Sequence, residues 1–139
     1  MPLVNMKPLL RHAMDNRYAV AAFNLVDYNT TKAMVKAAEE LGAPVICQTS
    51  SKTIQYYSHA EIVSWVRTCA ENSPVPVVLH LDHCHDLAMI EQCAKSGWTS
   101  IMIDASEHPF EKNLELSLRV REIAERYNVG MEAELGQIM

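Results

Sequence analysis

Hydrophobic and polar positions recur in one order along the chain: a short apolar or β-branched run ending in polar residues, then a stretch with helical periodicity. The runs are 18–24 (YAVAAFN), 44–50 (PVICQTS), 76–82 (PVVLHLD), 99–104 (TSIMID) and 129–135 (VGMEAEL). Between them the spacing predicts helices. The first runs from Asn29 or Thr30 to Leu41, with Met34, Val35, Ala38 and Leu41 on one face and Gly42 as its stop. The second opens on Ser58 and Glu61, a capping-box pair that satisfies free backbone N–H groups, and turns Ile62, Val66, Cys69 and Ala70 inward. The third is capped near Asp86, buries Ile90, Cys93 and Ala94, and ends at Gly97. The fourth, from about 111 to 127, buries Leu116, Val120, Ile123 and Tyr127. A short leading helix over 6–16 precedes them all.

Strands alternating with helices imply right-handed βαβ units and a parallel sheet. Two α/β architectures compete, an open doubly wound sheet and a (β/α)8 TIM barrel. Asn24, Ser50, Asp82, Asp104 and Glu134 lie at the carboxyl ends of the five runs, 26, 32, 22 and 30 residues apart. Polar residues converging from successive strand ends describe the catalytic face of a barrel. An open sheet concentrates its site at one switch point, and no GxGxxG or Walker loop marks one. The barrel is therefore expected. Eight units at this spacing need roughly 220 residues, so residues 1–139 are read as the N-terminal part of a single barrel domain, carrying a leading helix, five strands and four helices.

Composition narrows the partners. Hydrophobic residues make up 49% and charged residues 21%, a globular balance, and the formal charge of −5 comes without any basic block. Nucleic acid and anionic membranes are not expected partners, while small anionic ligands remain open. The N-terminal segment lacks the apolar core of a signal peptide, and no apolar run approaches membrane-spanning length. Cys47, Cys69, Cys84 and Cys93 form no CxxC pair. Reduced thiols in the cytoplasm are expected, with Cys47 and Cys93 as buried small hydrophobes.

The chemistry concentrates in 80–85 (HLDHCH). Asp82 and His83 stand side by side at the end of an apolar strand. Imidazole suits zinc, and a neighbouring carboxylate can carry a proton to or from a substrate hydroxyl. A polar strand end that merely caps the next helix would look the same. On a regular strand His80 and His83 point to opposite faces. His80 shares the face of Asp82, either as a hydrogen-bonded core residue or as a ligand. Glu132 and Glu134 are two apart and share a strand face. They either face solvent or crowd into the barrel, where a cation must compensate them. With Asp104 on a neighbouring strand, Asp82, His83 and Glu134 argue for a metal site. Asn24, Gln48 and Ser50 suit hydrogen bonds to a polyol or carbonyl. His12, His59 and His108 are expected on solvated helix surfaces, and Lys52 in an exposed loop.

The segments VVLHLDHC (77–84), TSIMIDAS (99–106) and EAELG (132–136) resemble the class II, zinc-dependent ketose-bisphosphate aldolases, of fructose or tagatose type. The likeness extends to MKPLL (6–10) and AFN (22–24), and so covers essentially the whole chain. It implies reversible cleavage of a ketose 1,6-bisphosphate into dihydroxyacetone phosphate and glyceraldehyde 3-phosphate, with Zn²⁺ polarising the ketone and no lysine Schiff base. It makes Asp82 the catalytic acid/base and His83 a zinc ligand. Asp104 and Glu134 match acidic positions for additional or alternative metal coordination, by a further divalent or monovalent cation. Asn24 and Ser50 match substrate contacts. Phosphorylated ketoses and triose phosphates are the implied small-molecule partners, and a homo-oligomer the implied assembly. Ala105 departs from the glycine common in the family. The family's two further zinc histidines, its loop glutamate and its phosphate-binding glycines would lie beyond Met139. The 139 residues alone are thus expected to be inactive, or else to form a non-catalytic truncated barrel that associates with another chain.

Overall fold

A computed structural model describes residues 3–136. The elements follow in the order α1 (Met6–Asp15), β1 (Ala21–Asn24), α2 (Tyr28–Leu41), β2 (Val45–Thr49), α3 (Ser51–Tyr56), α4 (His59–Ala70), β3 (Val77–Cys84), α5 (Leu87–Ser96), β4 (Ser100–Ile103), α6 (Phe110–Tyr127) and β5 (Gly130–Ala133). The five strands form one parallel sheet in the order β1-β2-β3-β4-β5. That order settles the architecture. A doubly wound sheet reverses direction at a switch point, whereas a barrel wall adds each strand beside the last.

Side chains alternate between two layers. Val45, Cys47, Val77, Leu79, Leu81, Ile101 and Ile103 join Ile62, Val66, Ile90 and Val120 of the helices in the main core. On the other face Ile46 and Val78 pack with Met6, backed by Val4, Leu9 and Val20. The leading helix α1 therefore covers the inner face on the side of the strand starts, and the strand ends stay open for polar groups. The cysteines are free thiols; Cys47, Cys84 and Cys93 are buried and Cys69 half-buried. Burial pushes the Cys47 thiol up to about 12 and raises Cys93 as well. Among the described residues no helix is long and apolar enough to cross a membrane.

Several expectations need correction. Lys52 is not in a loop: it lies on the six-residue helix α3, which Ser50 caps by accepting the Thr53 N–H at 3.2 Å. Helix α2 starts at Tyr28, one turn held by an Asp27–Thr30 capping box, and its buried stripe is Thr31, Val35 and Ala38. Leu41 is 80% exposed; at 100° per residue it lies about 80° round the helix from that stripe. Cys69, Leu116 and Tyr127 are only partly buried at the edge of the core. His59 is not solvated: its ring packs edge-on against Trp98, with centroids 5.6 Å apart, and burial lowers its pKa. His12 and His108 are exposed, as is Lys52.

Candidate active site

Strand β3 carries His80, Asp82 and His83, and its end is irregular. The β3–β4 register shifts between Leu81 and Cys84, and His83 has φ +44°, the left-handed region that an L residue rarely occupies. This bulge re-aims His83. Strict alternation would put it in the helix layer; instead its Nδ1–H donates to Asp104 Oδ2 at 2.8 Å and lies 3.6 Å from Glu134 Oε2. The His83 backbone N–H meets Met102 Sδ at 3.4 Å.

Asp104 follows the end of β4. Its Oδ1 accepts from the Ser106 backbone N–H at 3.1 Å and the Ser106 hydroxyl at 2.7 Å. Burial works to raise this carboxyl, but the bonds from His83 and Ser106 outweigh it and hold the pKa at about 2. The Asp104 bond in turn raises the His83 imidazole, against the opposing effect of burial. His85 braces the same loop, its Nδ1–H donating to the Asp104 carbonyl at 2.7 Å. Glu134 is fixed from behind by Asn113 of α6, whose buried amide donates to the Glu134 carbonyl at 2.7 Å and the Ala105 carbonyl at 2.9 Å.

Asp82 lies beside this group on the inner face. Gln48 of β2 donates to its Oδ2 at 2.8 Å. Its Oδ1 is 4.0 Å from His80 Nε2, and Glu132 Oε2 is 3.4 Å from the same nitrogen. Glu132 thus lies on the inner face of the sheet, with its side chain still 48% exposed. Burial, and then the charge of Asp82, raises the Glu132 pKa. Asn24 ends β1 in register with Gln48, exposed and without a side-chain hydrogen bond among the described residues. Ser50, also exposed, accepts the Thr53 N–H and lies 3.1 Å from Thr53 Oγ1 through the same hydroxyl.

His83, Asp104 and Glu134 form a donor set suited to a cation. One nitrogen and two carboxylate oxygens lie within 4.8 Å of one another. Small movements would close them on a divalent ion with bonds of about 2.0–2.2 Å. The carboxylates of Asp82 and Glu132 nearby add negative charge that such an ion would offset.

Asn113, Ser106 and His85 also take part in this site, beyond the residues expected from the sequence. Ser106 carries a local signal, an Asp followed two residues later by a hydroxyl, which reads as a turn. Asn113 carries none, because its role exists only once α6 lies across two strand ends.

Residues 4–139 match the family profile described as fructose-bisphosphate aldolase class-II. The chain is 41% identical over 138 residues to the fructose-bisphosphate aldolase of Helicobacter pylori, covering 99% of itself and 45% of that protein. It is 42% identical to the probable fructose-bisphosphate aldolase of Bacillus subtilis, covering 99% of itself and 50% of the relative. The YdjI aldolase of Escherichia coli K12 superposes with a TM-score of 0.90 at 28% identity, over 99% of this chain and 54% of that one. The Campylobacter jejuni fructose-bisphosphate aldolase gives 0.85 at 25% identity, over 97% and 47%. The chain spans about half the length of the curated relatives it matches. A parallel sheet in barrel order, a strand-end cluster of imidazole and carboxylates, and a family match over nearly every residue agree, and the chain belongs to the class II fructose-bisphosphate aldolases.

Proposed function

We propose that this chain carries the metal-binding and acid/base part of a class II aldolase that reversibly cleaves a ketose 1,6-bisphosphate, of fructose or tagatose type, to dihydroxyacetone phosphate and glyceraldehyde 3-phosphate. The observation that carries this reading is the convergence of His83, Asp104 and Glu134 beside Asp82 at the strand ends. His83 is the zinc ligand, and Asp104 and Glu134 supply additional or alternative coordination. Zinc, when bound, supplies Lewis-acid polarisation of the substrate ketone.

Asp82 moves the proton. Gln48 fixes one of its oxygens, leaving the other to take the C4-hydroxyl proton in cleavage and return it in condensation. Asn24 hydrogen-bonds substrate from the neighbouring strand end, and Ser50 does so from the start of α3. A cytoplasmic, homo-oligomeric setting is carried over from the family with the same reading.

The test is a coupled aldolase assay on the protein expressed from its gene, with fructose and tagatose 1,6-bisphosphates. EDTA should abolish turnover and added Zn²⁺ should restore it. Chelator-resistant turnover with a borohydride-trapped substrate adduct would overturn the metal mechanism, and no turnover of either sugar would overturn the substrate class.

A further inference from the structure

The inner face of the sheet buries one imidazole that the proposed mechanism does not use. His80, on β3, is 2% exposed. Its Nδ1 lies 2.9 Å from Ser100 Oγ of β4. Its Nε2 is buried and has no hydrogen-bond partner among the described residues. The groups facing that nitrogen are Glu132 Oε2 at 3.4 Å and Asp82 Oδ1 at 4.0 Å. The ring is not part of the His83, Asp104 and Glu134 donor set.

Burial, with the nearby His83, pushes the His80 pKa down to about 4, so the ring is neutral near pH 7 and holds one proton. Two tautomers are then available. With the proton on Nδ1, the Nε2 lone pair would face two carboxylate oxygens in a buried site, a repulsive arrangement. With the proton on Nε2, the ring offers a donor to both carboxylates, and the Ser100 hydroxyl donates to Nδ1. Ser100 makes no other side-chain hydrogen bond among the described residues, so its proton is available for this. The separations at Nε2 are long for hydrogen bonds, as contacts of catalytic groups are before substrate closes the site.

We propose that His80 is a positioning residue: held by Ser100 as the Nε2–H tautomer, it presents one N–H to Glu132 and Asp82 and fixes both carboxylates at the strand ends. Gln48 then holds one oxygen of Asp82 and His80 orients the other. The kinetic consequence rests on the aldolase reading; the tautomer does not.

The tautomer is read from long-range ¹H–¹⁵N correlations of the imidazoles in the uniformly ¹⁵N-labelled protein, as expressed from its gene, at pH 7. The expected pattern is a protonated Nε2 and an unprotonated Nδ1 at His80, lost to a mixture in Ser100→Ala. A protonated Nδ1 or a cationic ring would overturn the proposal. Kinetics supply the second arm. His80→Gln places an amide N–H near the Nε2 position and should keep kcat within about threefold of wild type. His80→Asn and His80→Phe, which cannot reach it, should lose about 10- to 100-fold in kcat, the scale of one hydrogen bond to a charged group, with KM and metal content unchanged. Equal losses in Gln and Asn variants, or wild-type kcat in the Phe variant, would overturn it. Absence of aldol turnover in the wild type would count against the aldolase reading, and the tautomer would then decide His80 alone.

Discussion

Asp104 is the most heavily bonded carboxylate at the strand ends, and its acid–base linkage is open to measurement. Its folded pKa of about 2 lies below the ordinary 3.8, so it contributes stability above that ordinary value and loses it as pH falls toward 2. His83 is raised above its ordinary 6.5, so its contribution is complete below 6.5 and lost as pH rises through the raised value. The pair should therefore stabilise the chelator-treated protein most between about pH 4 and 6.5. Urea unfolding midpoints across pH 2–9 should show both limbs, and Asp104→Asn should flatten them. A variant whose pH profile matches wild type would remove the pair from this role. At this scale the residue types and strand-end spacing of Asp82, His83, Asp104 and Glu134 announce the cluster. The aim of His83 is hidden, because a β-bulge with positive φ leaves no trace in an alternating pattern.

Among the elements, α6 ties the site together through Asn113. Its amide bonds the carbonyls that follow β4 and β5, and Ser117 donates to its Oδ1 at 3.2 Å. Asn113→Ala leaves both carbonyls, the Ala105 one buried, without this donor and should cost about 1–3 kcal/mol of stability. It should also weaken metal retention, because Glu134 loses its anchor; equilibrium dialysis against Zn²⁺ checks this beside thermal unfolding. Unchanged stability and unchanged retention would show that the loop holds itself. The five strands and the longer helices follow from periodicity, with bounds shifted by one to three residues. Helix α3 does not, since six residues directly after a strand are too few to display a 3.6-residue repeat. Gly97 is a readable stop with an added constraint. It ends α5 at φ +120°, where a Cβ would come 2.9 Å from Arg67 Nη2 of α4.

For the whole molecule, the spacing of polar strand ends and the absence of a phosphate-binding loop already favour the barrel, and the consecutive strand order agrees. A count of five strands where a barrel needs eight also implies open edges, and the structure has them. The accessible surface is 8144 Å², against about 7,250 Å² for a compact monomer of this mass. Every residue of β1 is exposed, and Phe23 is 51% exposed within it. Strands β1 and β5 are both edges, with unpaired backbone groups of the kind that recruit other chains. A polypeptide of these 139 residues alone should therefore elute as oligomer or aggregate in size-exclusion chromatography with light scattering, and should not cleave either bisphosphate. A monomer with a cooperative unfolding transition that turns over substrate would contradict this.

The central claim is that two adjacent residues divide the chemistry, Asp82 moving the proton and His83 holding the metal. Both are measured together by assaying Asp82→Ala and His83→Ala, in the protein expressed from its gene, for turnover and for bound zinc. Asp82→Ala should lower kcat about 10²-fold or more, the scale of losing a positioned acid/base group, while zinc content stays at the wild-type level. His83→Ala should lose zinc and activity together. Near-normal turnover in Asp82→Ala, or full zinc content in His83→Ala, would contradict the account.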